Sequence, residues 1–179
     1  DMIVLPGSKN TISDLLWMRQ NGLEAAILKQ AGIGKVVFGI CGGFQMLGET
    51  LADPLGIETS GEVRGMGLLP IDTVFLDEKT RTRVTGSFLT GDTIFDSLKD
   101  QKLEAEGYEI HMGQSTLKAG AKHLLSLTDA VTGQTKQDGA YKENVFGSYV
   151  HGIFDGAGIA QTVIQALAEK KGVQMGDIG

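Results

Sequence analysis

The first third of the chain alternates apolar runs with amphipathic segments. Residues 2–5 form a short apolar run, and residues 36–40 (VVFGI) form a second run of strand length. Between them, residues 13–19 and 23–31 carry apolar side chains at helical spacing. A continuous apolar strand is typical of a parallel sheet that is covered on both faces. The pattern therefore predicts strand, helix, helix and strand in a parallel α/β sheet, followed by a short helix at residues 44–48.

The middle of the chain has a different pattern, with apolar stretches separated by Gly, Asp, Asn and Thr. The strands expected there are residues 68–76, 81–88, 107–112, 123–127, 130–136 and 145–150. A hairpin turn is expected at residues 132–134, and an amphipathic helix at residues 158–171. This region should be largely antiparallel. The expected fold class is α/β, a mostly parallel sheet flanked by helices with an added antiparallel portion.

The length, net charge and apolar runs of the chain argue against several classes of function. The 179 residues are enough for one domain at roughly 100–200 residues each. The net charge of −6 argues against a nucleic-acid partner, which requires clustered Lys and Arg. No apolar run approaches the ~18 residues of a membrane span. The acidic start is unlike a secretory signal, so we expect no membrane association and a cytoplasmic location.

Metal and phosphate sites are not predicted. A single cysteine excludes an internal disulfide and a multi-cysteine metal site. No cluster of His, Asp or Glu has metal-ligand spacing. Residues 32–36 contain Gly-Lys but lack the spacing and the Ser or Thr of a phosphate-binding loop. We expect no metal and no cofactor in this chain.

The single cysteine has the setting of a catalytic nucleophile. Cys41 lies in the motif GICGG (residues 39–43), between a buried strand and a helix. A nucleophile at such an elbow sits on a strained turn, and the small neighbours let the chain turn sharply. The N–H of Gly42 would then point toward a developing oxyanion. The alternative is a small cysteine buried at a strand end.

A thiolate nucleophile needs an imidazole as proton acceptor and donor. His151 ends a predicted strand in the motif GSYVHG (residues 147–152), and the ends of parallel strands share one edge of the sheet. His111 is the competing candidate, and His123 is read as a surface or strand-edge residue. Either candidate histidine could instead be a hydrogen-bonded core residue.

The turn after the first strand offers a second oxyanion donor. Residues 6–10 read PGSKN, and the backbone at Gly7 and Ser8 could lie opposite Gly42. The alternative is an ordinary turn at a strand end.

Five motifs together resemble one enzyme family. GICGG, with Gln45 four residues after Cys41, resembles the nucleophile motif of class I, triad-type glutamine amidotransferases, whose fold is flavodoxin-like. The further motifs are PGSKNT (6–11), GMGLLP (65–70), GYEIHMG (107–113) and YVHGIFD (149–155). In this combination they resemble the glutaminase domain of cobyric acid synthases, from residue 2 to the final helix.

The resemblance implies a function for residues 1–179 as a glutaminase domain. Cys41 and His151 would hydrolyse glutamine through a thioester. Gln45 would bind the polar end of the substrate or, alternatively, lie on the surface of its helix. The ammonia would serve ATP-dependent amidation of the b, d, e and g carboxylates of adenosylcobyrinic acid a,c-diamide, in cobalamin biosynthesis. ATP, magnesium and the corrinoid would bind to an amino-terminal synthetase domain. We expect this chain to be a carboxy-terminal portion that lacks that domain and the first strand of the sheet.

One position departs from the wider class. Ile153 stands where most class I enzymes carry a glutamate that orients the imidazole. Asp155 and Glu109 are the acidic candidates for that role, and a backbone carbonyl, a water or a group on the other domain are alternatives.

Other functions stay open on the sequence. The near alternatives are the amidotransferase domain of a cobyrinic acid a,c-diamide synthase or of an enzyme that amidates a peptidoglycan lipid precursor. A cysteine peptidase or deglycase is a distant alternative, and a partner-binding module with a degenerate site is the non-enzyme alternative.

Overall fold

The computed structural model describes residues 2–7, 10–57, 61–76, 83–90, 93, 95, 97–98, 102–105, 113–150, 153–154 and 157–171. The helices within these ranges are α1 (Thr11–Gln20), α2 (Leu23–Gly32), α3 (Gly42–Met46) and α4 (Ala157–Lys171). The strands are β1 (Met2–Leu5), β2 (Val36–Ile40), β3 (Thr50–Asp53), β4 (Gly61–Arg64), β5 (Ile71–Phe75), β6 (Val84–Phe88), β7 (Lys102–Ala105), β8 (Gly113–Leu117), β9 (Leu125–Asp129), β10 (Thr135–Asp138), β11 (Ala140–Lys142) and β12 (Val145–Ser148).

A four-stranded sheet in the order β1-β2-β12-β11 forms the centre of the fold. β2 pairs in parallel with β1 on one side and with β12 on the other, and β11 is an antiparallel edge. Alternate residues of β2 enter two different cores: Val36 and Phe38 pack with β6, β9 and α4, whereas Val37 packs with α1, α2 and α3. The expected parallel strand covered on both faces is confirmed.

Two further sheets carry the antiparallel portion. One has the order β4-β3-β5-β8, in which only β3 and β5 are parallel. The other, β10-β9-β6-β7, is antiparallel throughout. The α/β fold class with an added antiparallel portion is therefore confirmed. No helix among the described residues is long and apolar enough to cross a membrane.

Several element boundaries differ from the sequence prediction. The strand expected at residues 68–76 begins only at Ile71, because the backbone N–H groups of residues 66, 68 and 69 bond to carbonyls at the end of α3. The strand expected at residues 130–136 begins at Thr135, because Asp129 Oδ1 accepts the N–H groups of Val131 and Thr132 and holds a turn there. The strand expected at residues 107–112 lies outside the described residues.

The first helix also starts earlier than its polar residues suggest. Ser13 and Asp14 are residue types that favour the cap position, but α1 begins at Thr11 with Asn10 at the cap position. Ile12 is fully buried and Thr11 nearly so, so the first turn belongs to the core. Burial of that turn outweighs the capping preference of the later side chains.

Candidate active site

Cys41 occupies a strained turn between β2 and α3. Its backbone has φ 52° and ψ −111°, and Glu143 is the other non-glycine residue with positive φ in the described part of the chain. A side chain held in such a conformation costs roughly 1–3 kcal/mol and persists only where the surrounding packing imposes it. The tight turn predicted at Cys41 is thus present in the backbone geometry.

Glycines allow the tight packing around this turn. A Cβ added at Gly43 would lie 2.1 Å from the carbonyl oxygen of Leu5, at the end of β1. One added at Gly39 would lie 2.7 Å from the backbone of Gly43, and one at Gly147 would lie 2.2 Å from the ring of Phe44. Because all three positions exclude a side chain, α3 lies directly on the ends of β1, β2 and β12.

The end of β12 holds Cys41 by two hydrogen bonds. The Cys41 N–H donates to the carbonyl oxygen of Ser148 at 2.9 Å. The thiol Sγ donates to the carbonyl oxygen of Tyr149 at 3.2 Å, and Cys41 is only 7% exposed. The resting sulfur therefore carries its proton in a defined direction. His151 lies two residues beyond Tyr149 in the sequence and is outside the described residues.

Gln45 points into the protein rather than away from it. It is 4% exposed, its Oε1 accepts a hydrogen bond from Thr11 Oγ1 at 3.3 Å, and its Nε2 donates to the hydroxyl of Tyr149 at 3.3 Å. A Cβ at Gly113 would lie 2.9 Å from the same Nε2. The amide is thus anchored between α1, β8 and the segment after β12, on the helix that begins next to Cys41.

Tyr149 joins the backbone around Cys41 to a buried polar cluster. Its hydroxyl contacts Ser115 and Gln45, and its ring meets the ring of Phe44 edge to face at 5.1 Å. Burial raises the pKa of Tyr149 to about 12, so the phenol is neutral at physiological pH. Tyr149 belongs to the motif YVHGIFD, but the motif alone predicts no role for it.

Asp138 is a second buried polar residue for which the sequence predicts no role. It is buried at the end of β10, where its carboxylate accepts hydrogen bonds from Ser148 Oγ at 2.6 Å and from the Tyr149 N–H at 3.3 Å. In the sequence it precedes Gly139, and Asp-Gly at a strand end indicates only a turn. No local signal distinguishes this carboxylate from a surface turn residue.

Of the two predicted oxyanion donors, one lies at the start of α3 and the other follows the end of β1. Gly42 is buried as the first residue of α3, where an N–H has no intrahelical acceptor. Gly7 is exposed two residues after Leu5, whose carbonyl contacts Gly43. Ser8 lies outside the described residues. The end of β1 and the start of α3 are therefore neighbours, and the N–H of Gly42 is not used within its own helix.

The remaining predicted residues divide by whether the structure describes them. Cys41, Gly42 and Gln45 are together at the end of β2, whereas His111, Glu109 and Asp155 lie outside the described residues. His123 is half-buried, and its Nδ1 lies 3.3 Å from the carbonyl oxygen of Gly139. Within the part of the chain that the structure describes, no three His, Cys, Asp or Glu side chains are grouped to hold a metal ion.

Comparison with protein families gives one match over most of the chain. Residues 1–159 match the model of the CobB/CobQ-like glutamine amidotransferase domain. A cobyric acid synthase from Ruminiclostridium cellulolyticum is 51% identical over 97% of this chain and 34% of its own length. A cobyric acid synthase from Clostridium acetobutylicum is 45% identical over 97% of this chain and 33% of its own length. The chain thus spans about a third of these relatives.

Solved structures with a similar fold are more distant in sequence. The PurLQS structure from Thermotoga maritima has a TM-score of 0.63 at 22% identity, covering 95% of this chain and 79% of that one. A crystal structure of a glutamine amidotransferase has a TM-score of 0.61 at 15% identity, covering 94% of this chain and 79% of that one. At these identities the likeness concerns the fold.

Proposed function

Because the chain belongs to the CobB/CobQ-like glutamine amidotransferase family, we propose that it hydrolyses glutamine at Cys41 and releases ammonia for a synthetase reaction elsewhere in a longer protein. The observation that carries this proposal is the position of Cys41. The cysteine occupies a strained turn, and the segment that leads to His151 holds it through Ser148 and Tyr149.

In the first step, the sulfur attacks the side-chain amide carbon of glutamine. His151 takes the thiol proton, and the C–S bond forms as the carbonyl oxygen becomes an oxyanion. His151 then gives the proton to the nitrogen, the C–N bond breaks, and ammonia leaves a glutamyl thioester on Cys41. In the resting protein the same proton is donated to the Tyr149 carbonyl, so activation requires that this hydrogen bond break.

In the second step, water attacks the thioester. His151 accepts a proton from the water, the C–S bond breaks, and glutamate leaves while Cys41 regains its proton. The N–H of Gly42 and the backbone at Gly7 and Ser8 would bind the oxyanion in both steps. One such donor typically contributes roughly 3 to 4 kcal/mol to the transition state.

Gln45 would support substrate binding from the floor of the site. Its amide is held by hydrogen bonds with Thr11 and Tyr149, and these two bonds fix the orientation of the Gln45 side chain. A side chain whose rotamer is fixed by neighbours provides a polar surface of defined orientation.

The acceptor reaction is proposed from the relatives. We assign the chain to the glutaminase function of a cobyric acid synthase, which would use the ammonia to amidate the b, d, e and g carboxylates of adenosylcobyrinic acid a,c-diamide. ATP, magnesium and the corrinoid would bind to the synthetase part, not to the residues of this chain. A cytoplasmic location suits a catalytic thiol, because the cytosol keeps thiols reduced.

The test is glutamate release from glutamine by the wild-type chain and by Cys41→Ala. The variant should release no glutamate above background. In a protein that joins this chain to its synthetase part, the same variant should still amidate the acceptor when ammonia is supplied, because ammonia bypasses Cys41. Glutamine-dependent turnover by the alanine variant would overturn the proposal.

A further inference from the structure

Asp138 is a buried carboxylate to which the chemistry proposed above gives no role. It is 6% exposed, and its Oδ2 accepts hydrogen bonds from Ser148 Oγ at 2.6 Å and from the Tyr149 N–H at 3.3 Å. A buried charge is costly unless hydrogen bonds hold it. Both of these hydrogen bonds come from the strand end that contacts Cys41.

Ser148 connects the Asp138 carboxylate to the backbone of Val150. While its hydroxyl donates to Asp138, its oxygen accepts the N–H of Val150 at 3.0 Å. Ser148 itself is fully buried. Residues 148–150 are therefore held, directly or through one hydroxyl, by the carboxylate of Asp138.

The same segment contacts the nucleophile on its other side. The carbonyl of Ser148 accepts the Cys41 N–H, and the carbonyl of Tyr149 accepts the Cys41 thiol. His151 follows Val150 directly in the sequence. The segment is thus fixed between Asp138 and Cys41, and it leads to the proposed base.

The chain after Asp138 is also pressed against β12. Gly139 has φ 69°, and a Cβ there would lie 2.3 Å from the carbonyl oxygen of Gly147. A larger residue would separate the two strands, so the glycine keeps the Asp138 carboxylate within hydrogen-bond distance of Ser148.

We propose that Asp138 is a positioning residue for the glutaminase reaction, acting through Ser148 and the backbone of residues 149 and 150. This inference rests on the proposed function and deepens it. Removing the carboxylate releases the segment that holds Cys41 and precedes His151. A displacement of about 1 Å between reacting groups costs up to roughly 100-fold in rate.

The test measures alkylation of Cys41 by a chloroketone analogue of glutamine. The sulfur displaces chloride, a C–S bond replaces the C–Cl bond, and the adduct is identified by mass spectrometry. Because the chain contains one cysteine, a cysteine adduct that mass spectrometry of the peptides locates is on Cys41. The maximal labelling rate reports the alignment of the thiol, and the half-saturating concentration reports binding of the analogue.

For Asp138→Ala, the maximal labelling rate should fall by about 10-fold to 100-fold, with half-saturation within about twofold. Ser148→Ala removes one link and should lower that rate at least about threefold. The double variant should be no slower than Asp138→Ala, because both side chains act through the same bonds. Independent, multiplying losses or a wild-type rate for Asp138→Ala would overturn the inference.

Asp53 provides a matched control. It is a fully buried carboxylate at the end of β3, in another sheet, and its Oδ1 accepts the Ile57 N–H at 2.9 Å. Asp53→Ala should keep the maximal labelling rate within about twofold of the wild type, since the hydrogen bond that it loses is with Ile57, in the turn after β3, and not with residues 148–150. An equal fall in both aspartate variants would mean general loss of structure and would overturn the inference.

Two outcomes distinguish failure of this inference from failure of the proposed function. If circular dichroism shows that Asp138→Ala is unfolded, Ser148→Ala decides the test, and an unchanged labelling rate overturns the inference. If the wild-type chain is not labelled saturably, or glutamine gives no protection, the proposed function fails and the inference fails with it.

Discussion

At Gly43, one added methyl group should slow catalysis while the chain stays folded. A Cβ at Gly43 would lie 2.1 Å from the carbonyl oxygen of Leu5 and 2.6 Å from its carbonyl carbon. Ordinary contact begins near 3.4 Å, so the backbones of α3 and β1 would have to separate by the difference, about 1.3 Å. Both contacts are with backbone atoms, which no side-chain rotation relieves.

The expected effect of Gly43→Ala on activity follows from this displacement. α3 begins directly after Cys41, so a shift of this size moves the sulfur and the Gly42 N–H relative to the substrate. We expect the rate of glutamate release to fall by about 100-fold. Overpacking of this kind typically costs about 1–3 kcal/mol in the free energy of unfolding, so the variant should still fold at room temperature.

Gly32→Ala is the matched control for this experiment. A Cβ at Gly32, the last residue of α2, meets no atom within 4 Å. We expect wild-type glutamate release and an unchanged or slightly higher melting temperature, because alanine restricts the unfolded chain more than glycine does. If Gly43→Ala releases glutamate at the wild-type rate while folded, the contact between α3 and β1 does not position Cys41.

Three other predictions concern the base, the buried phenol and regulation. His151→Ala should abolish glutamate release, whereas His111→Ala should leave more of it and His123→Ala should leave it unchanged; equal, complete losses at His151 and His111 would contradict this ranking. The free energy of unfolding should decline as the pH rises from 10 to 12, because burial raises the pKa of Tyr149 from 10.0 to about 12 and the folded state favours the neutral phenol. Denaturant titrations should show that Tyr149→Phe lacks this part of the decline, and an identical decline in the wild type and the variant would contradict the assignment to Tyr149. The rate of glutamate release by the chain alone should be low and should rise when the synthetase part, corrinoid and ATP are added, because Ile153 replaces the Glu side chain that usually orients the imidazole. A chain that is as fast alone as with these additions would contradict this prediction.

The apolar pattern was sufficient to predict the elements that build the elbow. β2 runs from Val36 to Ile40 as expected, because a strand covered on both faces has no polar position to interrupt the run. The glycines beside Cys41 predicted a tight turn, and the structure shows why Gly39 and Gly43 exclude a side chain. These features depend on local sequence and on one buried strand.

The rest depends on partners far apart in the chain. The apolar pattern does not predict β3 and β4, because TLAD and GEVR carry few residues that favour strands. The pairing of β3 with β4 on one side and with β5 on the other stabilises them. The role of Asp138 was missed because its partners Ser148 and Tyr149 come from another strand. Local propensity carries no information about such contacts.

The most direct test of the proposed mechanism is to trap the thioester. Hydroxylamine added during glutamine hydrolysis should intercept a glutamyl group on Cys41 and form glutamyl hydroxamate, with glutamate production reduced by the same amount. Cys41→Ala should form neither product. Glutamate production at the full rate with no hydroxamate would show that water attacks glutamine directly, and it would contradict the assignment of Cys41 as the nucleophile.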